Sequence, residues 1–577
     1  MDAGDSAMET PAGVNAEAWA PVRMGAQGAV VTNHPLSSMA GMRILMSGGN
    51  AVDAAVAIGF ALGVAEPQGS GIAADGFMMI HMKDAKSLSI ANGTGTAPSA
   101  ATPERFADGI VTNGILSVSV PGICDALLSA HERHGRLPLA DCIQPAIELC
   151  LEGVPQTHFQ CNLAASHDLL HSFPASAAIF APDGVPLKPG QIRRNSDLAK
   201  TYALIAEHGR EAFYEGPLAD AIVAFSEQAG GILTKADFAK YRMEWQDPIS
   251  TTYRGKTIYE APPNSSGHVL LQELNLIEHF DVAALGLHSA EAIHLMVEAK
   301  RLAFADREAF LGDSAFVDVP LEGLLSKEYA AERVKLIDPE RAAEAVAAGD
   351  PWAFQNRAPA AGKSPGHAGS GMGEMRSDTT HYCVIDRWGN AVDGLQSLSG
   401  HFGSQVVCPG TGMLLNNRMN YWHLDAGHPN LLQPGKRVRH TMNPVMVFDR
   451  AVEEGGALGL CCGTPGADVQ VQVNMQVLSA IYDHGLNVSE AIHAPRWTHI
   501  QTGMTSAYPH SAGSPHSMVG EDRFGDAVIG DLVGRGHPLK KVGAWAGGAS
   551  MGAIQVSEFG SYHAASDPRR DGQALVF

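Results

Sequence analysis

The 577-residue sequence lacks most of the features that place a protein in a functional class at a glance. No run of 18 apolar residues occurs, so no membrane-spanning helix is expected. No cluster of lysine and arginine occurs either. With 40 basic against 61 acidic residues the formal net charge is −21, which argues against a nucleic-acid partner. The eight cysteines (Cys124, Cys142, Cys150, Cys161, Cys383, Cys408, Cys461 and Cys462) form no Cys-x-x-Cys pair. They read as reduced and mostly buried rather than as a disulfide frame or a zinc site. The 25 histidines include no His-Glu-x-x-His, and no metal or cofactor is expected. Residues 1–29 are acidic and rich in small side chains and lack a charged-then-apolar leader, which points to a cytoplasmic location. No internal repeat is visible.

What is present is a globular composition, 45% hydrophobic and 18% charged, in a chain long enough for a large core. His34-Pro35-Leu36 opens a helix that stops at Gly48-Gly49, and Asn50 with Asp53 three residues on resembles a capping box for the next. Residues 51–64 are almost wholly small and apolar, as in a buried helix packed closely on a sheet. Strands are expected at 77–82, 87–91, 116–120 and 257–259, and a long amphipathic helix at 291–311. Beyond the middle of the chain, strands are expected at 414–417, 443–448, 553–556 and 561–565, with helices at 469–484 and 487–494. Residues 1–28 are expected to be loosely held. Residues 351–378 are rich in Pro, Gly, Ala and Ser and are expected to be mobile.

Directly after that segment stands Ser377-Asp378-Thr379-Thr380-His381-Tyr382, leading into a strand, a turn at 387–390 and a returning strand. Taken alone, a Thr-Thr pair is an ordinary strand feature. If the Asp378–Thr379 bond were cut, however, Thr379 would carry a free α-amine with a pKa of roughly 7.7–8.0. That amine could act as the base for the residue's own hydroxyl. For Ser397 and Ser399 to share a face with Thr379, the hairpin needs an odd loop or a bulge at Gly389 or Asn390.

Thr379-Thr380-His381-Tyr382, Gly389-Asn390, Phe402-Gly403 and Gly412-Met413-Leu414-Leu415-Asn416-Asn417 follow one another in an order and spacing that resemble the processing site of the γ-glutamyltranspeptidase family. The likeness extends to Gly48 through Ala55, Glu66-Pro67-Gln68, Tyr253-Arg254-Gly255, Pro262 through Gly267, and Ala305-Asp306-Arg307 with Leu311-Gly312-Asp313. It runs from about residue 34 to the C-terminus.

The resemblance implies an α+β, N-terminal-nucleophile hydrolase αββα sandwich. It would be built from a large subunit, 1–378, and a small catalytic subunit, 379–577, of one precursor. It implies amide hydrolysis or acyl transfer through an acyl ester on Thr379, with Ser397 in place of a threonine that hydrogen-bonds the nucleophile. The oxyanion hole would be the backbone N–H groups of Gly466 and Ala467, in a Pro-Gly-Ala turn where the family has Pro-Gly-Gly. Family members are often secreted, so the cytoplasmic expectation is a departure. A dimer of heterodimers is left open.

The substrate pocket departs from the family pattern. Where the family grips a γ-glutamyl head with an arginine, an asparagine, an aspartate, a glutamine and two serines, this chain matches with Thr94, Ser399, Tyr421, Arg418, His440 and Thr441. Losing those charge partners should change the substrate. Arg418, Arg439 and His440 could hold an anionic acyl group; equally, the arginines could pair with the protein's own carboxylates. Three functional readings stand: an acylase or amidohydrolase acting on a small non-glutamyl acyl amide, a γ-glutamyl transferase or glutathione hydrolase with a rebuilt pocket, and an uncleaved homologue used for binding.

Overall fold

The computed structural model describes residues 18–356, 377–501, 505–508, 510 and 516–577. Two seven-stranded sheets stack face to face. The first runs, in spatial order, Gln573–Val576, Ala29–Thr32, Ser377–Ile385, Ala391–Gly400, Asp75–Met82, Ser87–Gly93 and Glu244–Gln246. The second runs Arg23–Gly25, Tyr562–Ser566, Gly552–Val556, Leu458–Gly463, Val445–Phe448, Lys256–Glu260 and Ile249–Tyr253. Every neighbouring pair in both sheets is antiparallel.

Alternation along the strands sends one set of side chains into the layer between the sheets, including Val31, Phe77, Cys383, Leu395, Met446, Cys461 and Ile554. The opposite set meets helices. The helices Pro35–Met46, Ala51–Ala65 and Ile123–His134 cover the first sheet, with Leu139–Glu152 packed outside on Ala51–Ala65, and Gly267–Ile277 and Gln470–Tyr482 cover the second, with Ala290–Phe310 packed on Gly267–Ile277. This is the four-layer αββα sandwich expected from the motifs.

The helix Ala51–Ala65 is buried along its whole length. Its small residues permit this: a Cβ on Gly59 would lie 2.8 Å from Leu127, and one on Gly63 2.7 Å from the Tyr202 hydroxyl. Its N-terminus is satisfied by the expected capping box. Asn50 Oδ1 accepts from the N–H of Val52 and Asp53 at 2.9 and 3.0 Å, while the Asp53 carboxylate accepts from the Asn50 N–H at 2.9 Å.

Two expected strands are absent. Residues 116–120 contain a single 3-10 turn, Ile115–Ser117, and 414–417 contribute only an isolated bridge between Val407 and Leu414. Residues 414–417 bond instead to the preceding loop, the Leu415 N–H to the Val406 carbonyl at 3.2 Å and the Ser404 N–H to the Leu415 carbonyl at 2.9 Å. At 116–120 the reason is Asn416. Its Oδ1 accepts from the Ser119 N–H at 3.0 Å and its amide donates to the carbonyls of Ala73 and Ser119 at 3.0 and 3.2 Å. A side chain thus takes the backbone groups that a ladder would have paired.

The N-terminal segment is also held more firmly than expected over its described part, since Arg23–Gly25 pairs with Tyr562–Ala564 and the Trp19 N–H donates to His493 Nδ1 at 3.1 Å. Residues 1–17 lie outside the described residues. Of the segment expected to be mobile, Pro351–Phe354 forms a 3-10 turn and 377–378 begin a strand, while 357–376 lie outside the described residues. All eight cysteines are free thiols and seven are buried, Cys161 being half-buried. No described helix is long and apolar enough to cross a membrane.

Candidate active site

The site is built on the hairpin of Ser377–Ile385 and Ala391–Gly400. Ile385 pairs with Ala391, leaving a five-residue loop. Asp386 organises that loop by accepting from the N–H groups of Trp388 and Asn390 at 2.9 and 3.0 Å, and its other oxygen takes the Ala51 N–H at 3.0 Å. An odd loop brings residues of equal parity opposite one another, so Thr380 faces Gln396 and Thr379 comes opposite Ser397. No bulge at Gly389 or Asn390 is needed. The irregularity lies at the other end. Asp378 pairs with Ser399, so two residues, Ser397 and Leu398, stand against Thr379. A bulge re-aims side chains and interrupts the ladder, and here it interrupts it at the Asp378–Thr379 peptide.

Thr379 and Ser397 are both buried. By alternation from Cys383 and Leu395 they face the layer between the sheets. The next strand adds Asp75, which pairs directly with Ser397, so Thr379, Ser397 and Asp75 form a row across three strands. Thr380 points the opposite way, and its Oγ1 donates to Glu66 Oε2 at 2.5 Å. The two threonines therefore have different tasks. Ser397 Oγ accepts from the Ser399 N–H at 2.9 Å, and Ser399, held at φ 88°, donates its hydroxyl to Asn420 Oδ1 at 3.0 Å.

The Gly466–Ala467 turn packs on the strand Ser377–Ile385. Gly466 takes φ 127° and Ala467 φ 51°, so the alanine accepts a left-handed conformation that glycine would adopt freely. No other described residue takes the N–H of Gly466 or Ala467, which leaves both as donors. The next residue, Asp468, anchors the turn. Its carboxylate is ion-paired with Arg307 and accepts from the Ser506 N–H and hydroxyl, each at 2.7 Å. Burial pushes this carboxyl up, but Arg307 and the Ser506 hydrogen bonds outweigh it and hold it below its ordinary value.

Of the expected pocket residues, the structure gathers Arg418, Tyr421 and His440 around Asp75. Arg418 Nε and His440 Nε2 lie 3.4 and 3.3 Å from Asp75 Oδ2, and the Arg418 guanidinium stands 4.7 Å over the Tyr421 ring. Burial first, then the neighbouring Arg418, pushes His440 down to about 4 despite the pull of Asp75, so the ring is neutral near pH 7.

Arg439 turns elsewhere, pairing with Glu308 at 2.9 Å. Thr94 is committed to internal bonds, donating to Asn92 Oδ1 at 2.6 Å and accepting from the Asn264 amide at 3.1 Å. Thr441 is buried beside His440. Both arginines thus pair with the protein's own carboxylates, one of the two alternatives left open by the sequence.

Asp75, Glu66, Arg307, Asp468 and Asn420 were not identified as site residues from sequence. Glu66 and Arg307 lie in the motifs Glu66-Pro67-Gln68 and Ala305-Asp306-Arg307, and Asp468 adjoins the Gly466–Ala467 turn, so these three carried a local signal. A metal at Glu308, His423 and His428 is disfavoured by hydrogen bonding. His428 Nδ1 accepts from the Asn430 N–H at 3.0 Å, so its Nε2 carries the proton that Glu308 accepts at 3.1 Å.

A family model described as Gamma-glutamyltranspeptidase matches residues 37–577. The chain belongs to this family. It is an enzyme of the N-terminal-nucleophile hydrolase fold. It is 38% identical to the Acylase ACY 1 proenzyme of Pseudomonas sp. (strain SE83), over 96% of this chain and 94% of that one. It is 37% identical to the Glutathione hydrolase-like YwrD proenzyme of Bacillus subtilis (strain 168), over 96% and 99%. Among solved structures it resembles a cephalosporin acylase from Bacillus halodurans with a TM-score of 0.85 and 33% identity, covering 99% of both chains.

Proposed function

We propose that this γ-glutamyltranspeptidase-family enzyme is a precursor that cleaves its own Asp378–Thr379 bond and then hydrolyses a small acyl amide other than a γ-glutamyl compound. The observation that carries this reading is the bulge that breaks the ladder at the Asp378–Thr379 peptide, with Thr379 beside Ser397 on the strand against which the Gly466–Ala467 turn packs. In the precursor, Thr379 Oγ would attack the Asp378 carbonyl and the Asp378–Thr379 C–N bond would break, freeing the α-amine of Thr379 and leaving Asp378 esterified to Oγ; water would then hydrolyse that ester to the Asp378 carboxylate and the free Thr379 hydroxyl. In turnover, that amine takes the hydroxyl proton as Oγ attacks the substrate carbonyl. The N–H groups of Gly466 and Ala467 receive the developing oxyanion, a contribution of about 10²–10³ in rate per donor. The proton passes to the leaving amine, and water, or an acceptor amine in transfer, then resolves the acyl ester.

The substrate class rests on charge. An α-amino-acid head needs a carboxylate and a cation with spare valence. Here Arg418 faces Asp75 and Arg439 holds Glu308. The same pairing weakens the anionic-acyl alternative. The names of the acylase relatives agree with a non-glutamyl acyl group, while the relatives named glutathione hydrolases keep γ-glutamyl hydrolysis as the second reading.

Denaturing electrophoresis with N-terminal sequencing tests the maturation step. Two bands, the smaller beginning at Thr379 and lost in Thr379→Ala, are expected; a single band in active material would refute self-scission. Comparing γ-glutamyl-anilide with glutaryl- and oxamate-type amides tests the substrate. Turnover confined to the γ-glutamyl compound would establish the second reading. A cytoplasmic location is part of the proposal and is tested by cell fractionation.

A further inference from the structure

On the far side of the second sheet's helices, His294 and Glu298 lie four residues apart on one face of the helix Ala290–Phe310, and His537 reaches them from the C-terminal part of the chain. One ligand atom from each lies within 4.8 Å of the others, and all three residues are buried. None has a part in the amide chemistry at Thr379.

His537 is placed by the end of the helix Gly525–Gly534. Gly536, at φ 101°, donates its N–H to the Val533 carbonyl at 3.0 Å, and the His537 N–H reaches the Leu532 carbonyl at 3.1 Å. These are the two bonds of a Schellman motif, whose final residue commonly packs an apolar side chain back on the helix. Here that residue is a histidine, aimed at another histidine.

The hydrogen bonds fix the state of His294. Its Nε2 lies 2.7 Å from the Asp338 carbonyl, which can only accept, so Nε2 carries a proton, and in the neutral ring Nδ1 is the acceptor. Nδ1 in turn lies 2.7 Å from His537 Nε2, and one proton is shared between them. An imidazole whose outer N–H is held by a backbone carbonyl, with its inner nitrogen aimed at a second imidazole and a carboxylate, has the arrangement of a metal ligand with its supporting shell. Glu298 is held in the same fashion, by Arg301 at 2.8 Å and the Ala343 N–H at 3.1 Å, each on a different oxygen.

We propose that His294 Nδ1, His537 Nε2 and Glu298 form a binding site for one divalent transition-metal ion of the zinc type. The ion replaces the shared proton. His537 shifts its proton from Nε2 to Nδ1, the two nitrogens part from 2.7 Å to about 3.3 Å, and a water completes a tetrahedral set. Arg301 and Arg535 stand nearby, but each is neutralised, Arg301 by Glu298 and Arg535 by Asp531 at 3.0 Å. His294 and Glu298 precede Thr379 in the chain and His537 follows it. After scission the ion would therefore clasp the large to the small polypeptide.

The test is zinc titration of the chelator-treated full-length protein by calorimetry, with cobalt(II) as a visible-spectrum probe of geometry. One equivalent of zinc, an unfolding midpoint that rises with the logarithm of free zinc, and a tetrahedral cobalt spectrum are expected. His537→Asn should weaken zinc by more than about 100-fold, since changes to supporting residues alone cost about 10–100-fold. Glu298→Gln serves as a second variant should His537→Asn fail to fold, and it should weaken zinc and alter the cobalt spectrum. No stoichiometric zinc, or zinc retained in these variants but lost in His428→Asn, would overturn the proposal.

Discussion

Replacing Arg307 by leucine tests whether the Gly466–Ala467 turn, the proposed oxyanion hole, is held by a buried charge. Asp468 is 3% exposed; Arg307, itself 1% exposed, is its ion-pair partner, and Ser506 donates two further hydrogen bonds to its carboxylate. Deleting one member of such a pair costs about 3–5 kcal/mol, because the survivor is left charged in a low dielectric. The carboxyl can relieve this by taking up a proton, which would turn its shift from below the ordinary value to above it. The sign of the pH dependence then inverts at this residue. In the wild type the pair contributes stability above the unfolded carboxylate value, near 3.9, and loses it as pH falls. In Arg307→Leu the protonated native carboxyl is favoured at low pH, so the deficit in melting temperature against wild type should grow as pH rises from 4 to 7.

The N–H groups of Gly466 and Ala467 would also lose their anchor. The value of kcat should fall about 10–100-fold, less than the roughly 10²–10³ for outright loss of an oxyanion donor because the N–H groups are misplaced rather than removed, with little change in KM. Arg307→Lys, which keeps a charge but not the planar fork, should recover part of both effects. Thermal melts at several pH values and steady-state kinetics check this. A pH-independent deficit together with unchanged kcat would refute the idea that this ion pair positions the turn.

Three further outcomes follow from the same contacts. His34, His81 and His440 are each pushed down to about 4, burial being the largest cause, so the unfolded chain binds their protons first as pH falls below about 6.5. Each removes roughly 3 kcal/mol by pH 4, together comparable with a whole domain's stability; an unfolding curve by circular dichroism that stays flat from pH 6.5 to 4 would contradict this. Thr380→Val removes the hydrogen bond to Glu66 and should lower stability by about 1.5–3 kcal/mol in denaturant titration. It should still yield a small chain beginning at Thr379, and failure to cleave would assign Thr380 a part in scission. Gly95→Ala places a Cβ 1.8 Å from the Val120 carbonyl oxygen and 2.8 Å from Asp75 Oδ1. It should give poorly soluble protein or a loss of stability of more than about 2 kcal/mol, and a variant as stable as wild type by thermal melt would show that the backbone yields there.

Local sequence determined the parts of this protein whose cause is local. The Asn50 and Asp53 cap, the apolar, alanine-rich helix behind the first sheet, and the Gly389-Asn390 turn are set by propensity and near-neighbour hydrogen bonds, and each was legible in the order of residues. So was the position of the Thr-Thr pair at the head of a strand, together with the turn at Gly466. Tertiary structure alone decided what those residues meet. An aspartate at 75 reads as the start of a strand until three strands align and set it beside Ser397, Arg418 and His440. Residues 116–120 read as a strand until Asn416 reaches across to 119 and takes its backbone bonds. His294, Glu298 and His537 converge only because two helices dock far apart in sequence. Charge pairing and burial act through space, without regard to distance along the chain, and for that reason the framework of this enzyme could be read from its letters while the company its site residues keep could not.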